Sequence, residues 1–182
     1  AAGGVWVGRG GCGWACGGGL NKVRDRQNWA GNVGPAAGEP VQLQLQNAGT
    51  SFFSGDQDIV GLVADQITFA SGTFTLTGTQ PHTLANPVSN TASIIVSAGA
   101  PNQVLMMNLV LGTATPSTES ITIQPSGSLT LSAQLSGTSA TQLSKDGLGT
   151  LTITADHPGF PRSFRLNNGL ATGSVGHTDP LC

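Results

Sequence analysis

The sequence predicts an all-β fold: a right-handed parallel β-helix (solenoid) preceded by a Gly-rich N-terminal segment. Three observations carry that prediction. Short runs of strict apolar–hydroxyl alternation fill the middle of the chain, and one such run recurs at a spacing close to one solenoid rung. Charge is also sparse: 9% of residues are charged, and Glu119 is the single charged residue between Asp65 and Lys145.

The alternation comes first. Gly72-Thr-Phe-Thr-Leu-Thr-Gly78 recurs as Gly127-Ser-Leu-Thr-Leu-Ser-Ala133 and as Gly149-Thr-Leu-Thr-Ile-Thr-Ala155. Side chains of a strand alternate between faces, so Phe74/Leu76, Leu129/Leu131 and Leu151/Ile153 each share one face. Thr and Ser take the other, where β-branched hydroxyl residues favour the strand. The second and third copies lie 22 residues apart (149 − 127) and the first and second 55 apart (127 − 72). Further strands are expected at Ile67-Thr-Phe69, Ala92–Ser97, Gln103–Leu111 and Ile121-Thr-Ile123. A repeat of about 20 residues built of short strands is a solenoid signature. One rung cannot bury its inward residues, but rungs stacked at about 4.8 Å line them into interior ladders. Sparse charge agrees, because like charges stacked in register repel. A β-sandwich also uses short alternating strands and is the main competitor.

Composition sets limits on function. A net charge of −2 with few basic residues excludes the footprint of a nucleic-acid binder. There is no apolar run of about 18 residues, so no helical membrane span is expected. The chain starts with Ala and has no apolar leader, and is expected to be a processed product or a fragment. Three zones follow: a Gly/Trp-rich segment or cap over 1–40, solenoid rungs over 41–170, and a tail over 171–182.

These residues resemble a known family. Leu143-Ser-Lys-Asp-Gly-Leu-Gly-Thr-Leu-Thr-Ile-Thr154 is similar to the autotransporter-associated β-strand repeat, whose units open on Leu-x-Lys-x-Gly-x-Gly-Thr-Leu-x-Leu. Lys145, Gly147, Gly149, Thr150 and Leu151 carry the likeness, and Phe164–Leu170 resembles the family's second strand and turn. Asn28–Glu39 and Ile67–Thr77 resemble the segment that opens such passengers, whereas residues 1–20 and 173–182 fit poorly. The resemblance implies a passenger β-helix, secreted or held at the bacterial cell surface in association with the outer membrane. It implies a structural or adhesive, non-enzymatic role, with surface glycan or self-association as partner and no cofactor.

Candidate chemistry is thin. Asp56-Gln-Asp58 is the one close acidic pair, and on an extended strand both carboxylates would share a face, as a carbohydrate-active β-helix requires. A turn or solvated edge at Gly55-Asp56 is the favoured reading, and calcium held by Asp56, Asp58 and Asp65 a lesser one. Lys145-Asp146 is expected as charge at a solvated turn corner. Cys12, Cys16 and Cys182 are candidates for a disulfide or for cross-linking in a self-assembling filament. Zinc is disfavoured, since His82, His157 and His177 lie far from the Cys pair. The glycines of Gly8–Gly13 lack the strand–helix setting of a phosphate loop.

Overall fold

The computed structural model describes residues 5–8, 22–24, 26, 33–36, 40–46, 52–112, 116–137, 141–154 and 163–173. Sixteen strands follow in chain order. β1 (Val5–Gly8) is followed by β2 (Pro40–Leu45) and β3 (Phe52–Gln57), then by β4 (Val63–Phe69), β5 (Thr73–Gly78) and β6 (His82–Leu84). The next rungs are β7 (Thr91–Val96), β8 (Gln103–Met106) and β9 (Leu109–Leu111), and β10 (Ser117–Ile123), β11 (Ser128–Leu131) and β12 (Leu135–Gly137). β13 (Thr141–Asp146), β14 (Thr150–Ile153), β15 (Ser163–Leu166) and β16 (Leu170–Gly173) complete the stack. Every strand pairing is parallel. The result is the expected β-solenoid, with two main faces and a short third one. The first face stacks β2-β4-β7-β10-β13-β15, the second β3-β5-β8-β11-β14-β16, and the third β6-β9-β12. β1 adds in parallel to β2.

Register turns alternation into a core. Leu43, Ile67, Ile94 and Ile121 stack directly, with Lys145 and Leu166 next in the same column. Beside it Leu45, Phe69, Val96 and Ile123 form a second column, all essentially without solvent contact. On the second face Leu76, Leu105, Leu131 and Ile153 stack. Each such side chain stabilises the fold by roughly 1.5–3 kcal/mol through burial. Because strand pairs alternate faces strictly, a one-residue slip would turn a whole column into solvent, so the register is strongly specified.

The three Gly-Thr-Leu-Thr elements are β5, β11 and β14, on one face as alternation predicts. β8 lies between β5 and β11 (Thr75↔Val104↔Thr130), so the 55-residue gap is two rungs and the 22-residue gap one. Rung length departs from the expected value in the middle of the stack. Ile67 to Ile94 and Ile94 to Ile121 are each 27 residues (94 − 67, 121 − 94), because these rungs also carry β6 or β9 and a wider loop. Lys145 to Leu166 takes 21 (166 − 145). The apolar run Gln103–Leu111 is not one strand: it divides into β8 and β9 at Met107-Asn108, where the chain turns a corner. No helix among the described residues is long and apolar enough to cross a membrane.

Candidate functional site

Asp56 is not in a turn. It lies in β3, paired with Thr77, because the alternating segment from Phe52 stacks on β5. The structure does bring Asp56 and Asp58 together, but on cations. Lys22 Nζ lies 3.2 Å from Asp56 Oδ2 and 3.9 Å from Asp58 Oδ2. Asp58 accepts hydrogen bonds from Arg24 Nε and from the Arg24 backbone N–H (3.1 Å), while Arg24 Nη2 donates to the Asp58 carbonyl. The Asp58 side chain is only 5% exposed. A carboxylate clamped by three donors fastens the Lys22–Arg24 segment to the stack, through Val23 N–H to Asp56 O as well. Asp65 is not part of that cluster, and no group of three or more metal-ligating side chains occurs among the described residues.

Lys145 corrects the expectation of a solvated corner. Alternation from Leu143 aims it inward, in the column of Ile121, where it has no solvent contact. Its aliphatic stem replaces an isoleucine, and its Nζ donates to the carbonyls of Asp146 (2.8 Å), Gly147 (2.7 Å) and Asn168 (3.2 Å). Burial lowers its pKa, and Asp146 partly opposes the shift. Gly147 takes a φ of 75°, which a side chain disfavours. At Gly149 an added Cβ would sit 2.6 Å from the carbonyl oxygens of Gln124 and Gly127. Thr150 points outward and Leu151 is fully buried. The repeat signature is thus a corner that fits closely between rungs.

Two further titratable groups lie inside. Glu119 is fully buried with Ser117 and Thr141, accepts from Ser117 Oγ at 3.3 Å, and its Oε1 has no partner. Burial raises its pKa to about 7, against the opposing hydrogen bond from Ser117. His82 is buried above Leu109, its Nε2 unpartnered, and burial lowers its pKa to about 4. Both were legible: two-residue steps back from Ile123 and Leu84 place them inward.

The one built cleft among the described residues lies on the outer side of the first face, with a volume of about 340 Å³. It has a definite structural origin. β4 pairs with β6 through Val63 and Ala64 and with β7 from Gln66 onward, so Asp65 is the residue at which the strand changes partner. Against β2 the same residue is a bulge, since Val41 pairs with Ala64 but Gln42 with Gln66. Bulges re-aim side chains and recur beside functional sites. The loop between β6 and β7 then leaves the stack. Asn86 Oδ1 accepts from the N–H groups of Val88 (2.9 Å) and Ser89 (3.0 Å), and Asn90 takes a φ of 53°. Asn86 Nδ2 faces Asp65 Oδ2 at 3.5 Å, while Asp65 Oδ1 is buried without a partner. Gln42, Gln66, Ser93 and Ser120 form the floor, in register. Sequence reading placed Asp65 only in a calcium set. The missed signal is the extra residue between Ala64 and Ile67, which breaks alternation.

Cys12, Cys16, Cys182, His157, His177 and residues 9–13 lie outside the described residues. No protein-family model, curated protein or solved structure matches the chain.

Proposed function

We propose that the chain is a non-enzymatic structural and adhesive segment of a secreted or surface-displayed bacterial protein, built like an autotransporter passenger. The observation that carries this reading is the outer side of the second face. Ser54, Thr75, Val104, Thr130, Thr152 and Thr172 stack there in register, an uncharged column of hydroxyls repeated at the rung spacing of about 4.8 Å. Thr152 and Thr172 hydroxyls lie 3.2 Å apart, a ladder within the ladder. Such a face offers the same donors and acceptors at every rung, which suits a repetitive partner such as a surface glycan. The cross-rung ties at Lys145 support a stiff spacer beneath it.

Two measurements test the reading. The neighbouring coding sequence is expected to hold an export signal upstream and a translocator barrel downstream, and the absence of both removes the autotransporter part. Beads coated with the chain are expected to adhere to polysaccharide surfaces without releasing reducing ends, and release would make it an enzyme. A filament is the second reading, favoured by Leu166 and Leu170, 48% and 53% exposed on the last described rung. Electron microscopy with and without reductant separates it from a monomeric spacer.

A further inference from the structure

We infer that the Asp65 cleft is a binding site for one unit of a neutral, polyhydroxylated ligand, a sugar residue. The inference deepens the adhesive reading by giving it a discrete site, and it rests on that reading.

The cleft's volume, about 340 Å³, lies in the range of small-molecule sites, roughly 300–1,000 Å³. That is far more than a single ion needs. Its described lining is amide and hydroxyl: Gln42, Gln66 and Asn86 carry both donors and acceptors, and Ser93 and Ser120 add hydroxyls. No cation lines it among the described residues, which disfavours phosphate, sulfate or uronate ligands. It holds one carboxylate, Asp65, so a glycosidase's pair is not present in this lining and the chemistry is recognition. Calcium takes six to eight oxygen ligands, a demand that one carboxylate among neutral amides meets poorly.

The Asp65 carboxylate has acceptor capacity that the protein leaves unfilled. Oδ1 has no hydrogen-bond partner, and the Asn86 amide sits at the outer limit of a hydrogen bond from Oδ2. An acceptor left in this state costs free energy that a donor from a ligand hydroxyl recovers. The loop that forms the wall is held by its own Asn86 turn, so the site is formed before the ligand arrives.

The test is calorimetry and saturation-transfer NMR on the full chain with cellotriose, maltotriose and mannotriose, and separately with calcium chloride alone. At least one triose is expected to bind at millimolar concentration, with Asp65→Asn and Gln66→Ala weakening it about tenfold or more. Ser93→Trp fills the cleft without removing Asp65 and is expected to abolish binding, whereas Thr152→Val on the other face leaves it unchanged. Thermal melts confirm folding, and Ser93→Trp carries the test if Asp65→Asn does not fold. No binding of any triose overturns the inference, as does triose binding that survives Ser93→Trp, or saturation of the cleft by calcium alone. Bead adhesion that survives Ser93→Trp removes this site but keeps the adhesive reading. Loss of adhesion in the unaltered chain removes that reading itself.

Discussion

Replacing Lys145 with Met keeps the length and apolar bulk of the side chain and removes only the ammonium. Three carbonyls then lose a charged donor: Asp146 O, Gly147 O and Asn168 O. A hydrogen bond from a charged group contributes about 1.5–3 kcal/mol, which gives an upper bound well above 4 kcal/mol for three. Two corrections reduce it. Met is relieved of the desolvation that the buried ammonium suffers, and the Gly147 and Asn168 corners are open enough for water to replace part of the loss. The expected net loss is about 2–4 kcal/mol, read as a lower urea midpoint followed by circular dichroism. Hydrogen exchange adds a local readout, because Asn167 N–H donates to Lys145 O and Leu170 N–H to Gly149 O across the same corner. Those two amides should lose protection before Ile121 or Ile94 do. Lys145→Ile sharpens the test, since isoleucine continues the Ile67–Ile94–Ile121 column. If either variant is as stable as the parent, or more so, then the lysine is a tolerated ladder residue and the account of the corner is wrong.

Gly149→Ala should cost about 2–3 kcal/mol by overpacking against the Gln124 and Gly127 carbonyls, whereas Gly99→Ala, whose new Cβ meets nothing nearer than 3.5 Å, should stay within about 0.5 kcal/mol in the same urea titration. Asp58→Asn should destabilise by only about 1–2 kcal/mol, since Arg24 is largely exposed, but should speed tryptic cleavage at Lys22 and Arg24. Stability should also depend on pH through two opposed groups. The folded state holds the Glu119 proton up to about pH 7 against its ordinary 4.5, so that contribution is full below 4.5 and lost as pH rises through 7. His82 stays neutral down to about pH 4 against 6.5, so its contribution is present above 6.5 and lost as pH falls through 4. Each spans about 3 kcal/mol, and a midpoint-versus-pH curve should flatten on its alkaline side in Glu119→Gln and on its acid side in His82→Leu.

What the sequence made legible was whatever period two controls. Phe74, Leu129 and Leu151 fell on the inner side because alternation allows nothing else, and the same rule placed Lys145, Glu119 and His82 inside once their neighbours were known to be buried. Lys145 was read as a solvated corner because a lone charge beside two glycines is usually a turn. Here the turn's own carbonyls serve as its partners. Rung length was misjudged for a related reason. The repeated element marks only the second face, and nothing in it records that β6 or β9 lengthens a rung. The cleft was the least legible feature, since it depends on a single added residue at Asp65 and on which strand lies above it.

That dependence explains where a solenoid of this kind can hold a site at all. A regular rung repeats its neighbours, so every outer position sees the same surroundings and no concavity forms. Gln42, Gln66, Ser93 and Ser120 are separated by 24, 27 and 27 residues (66 − 42, 93 − 66, 120 − 93), yet they touch as one column. No short motif could encode that grouping; it exists only through register. A pocket then needs a defect that opens the column without breaking the core. The bulge at Asp65 supplies it by shifting one strand edge while Ala64, Ile67 and Phe69 stay buried. The Asn86–Asn90 loop supplies the wall, because the chain that leaves β6 must travel outward before β7 resumes the stack. Deleting Asp65 should therefore restore a continuous β2–β4 ladder, keep the core columns in register and close the cleft. Ligand binding would be lost while the urea midpoint holds or rises, an outcome that a site made of surface side chains alone would not give.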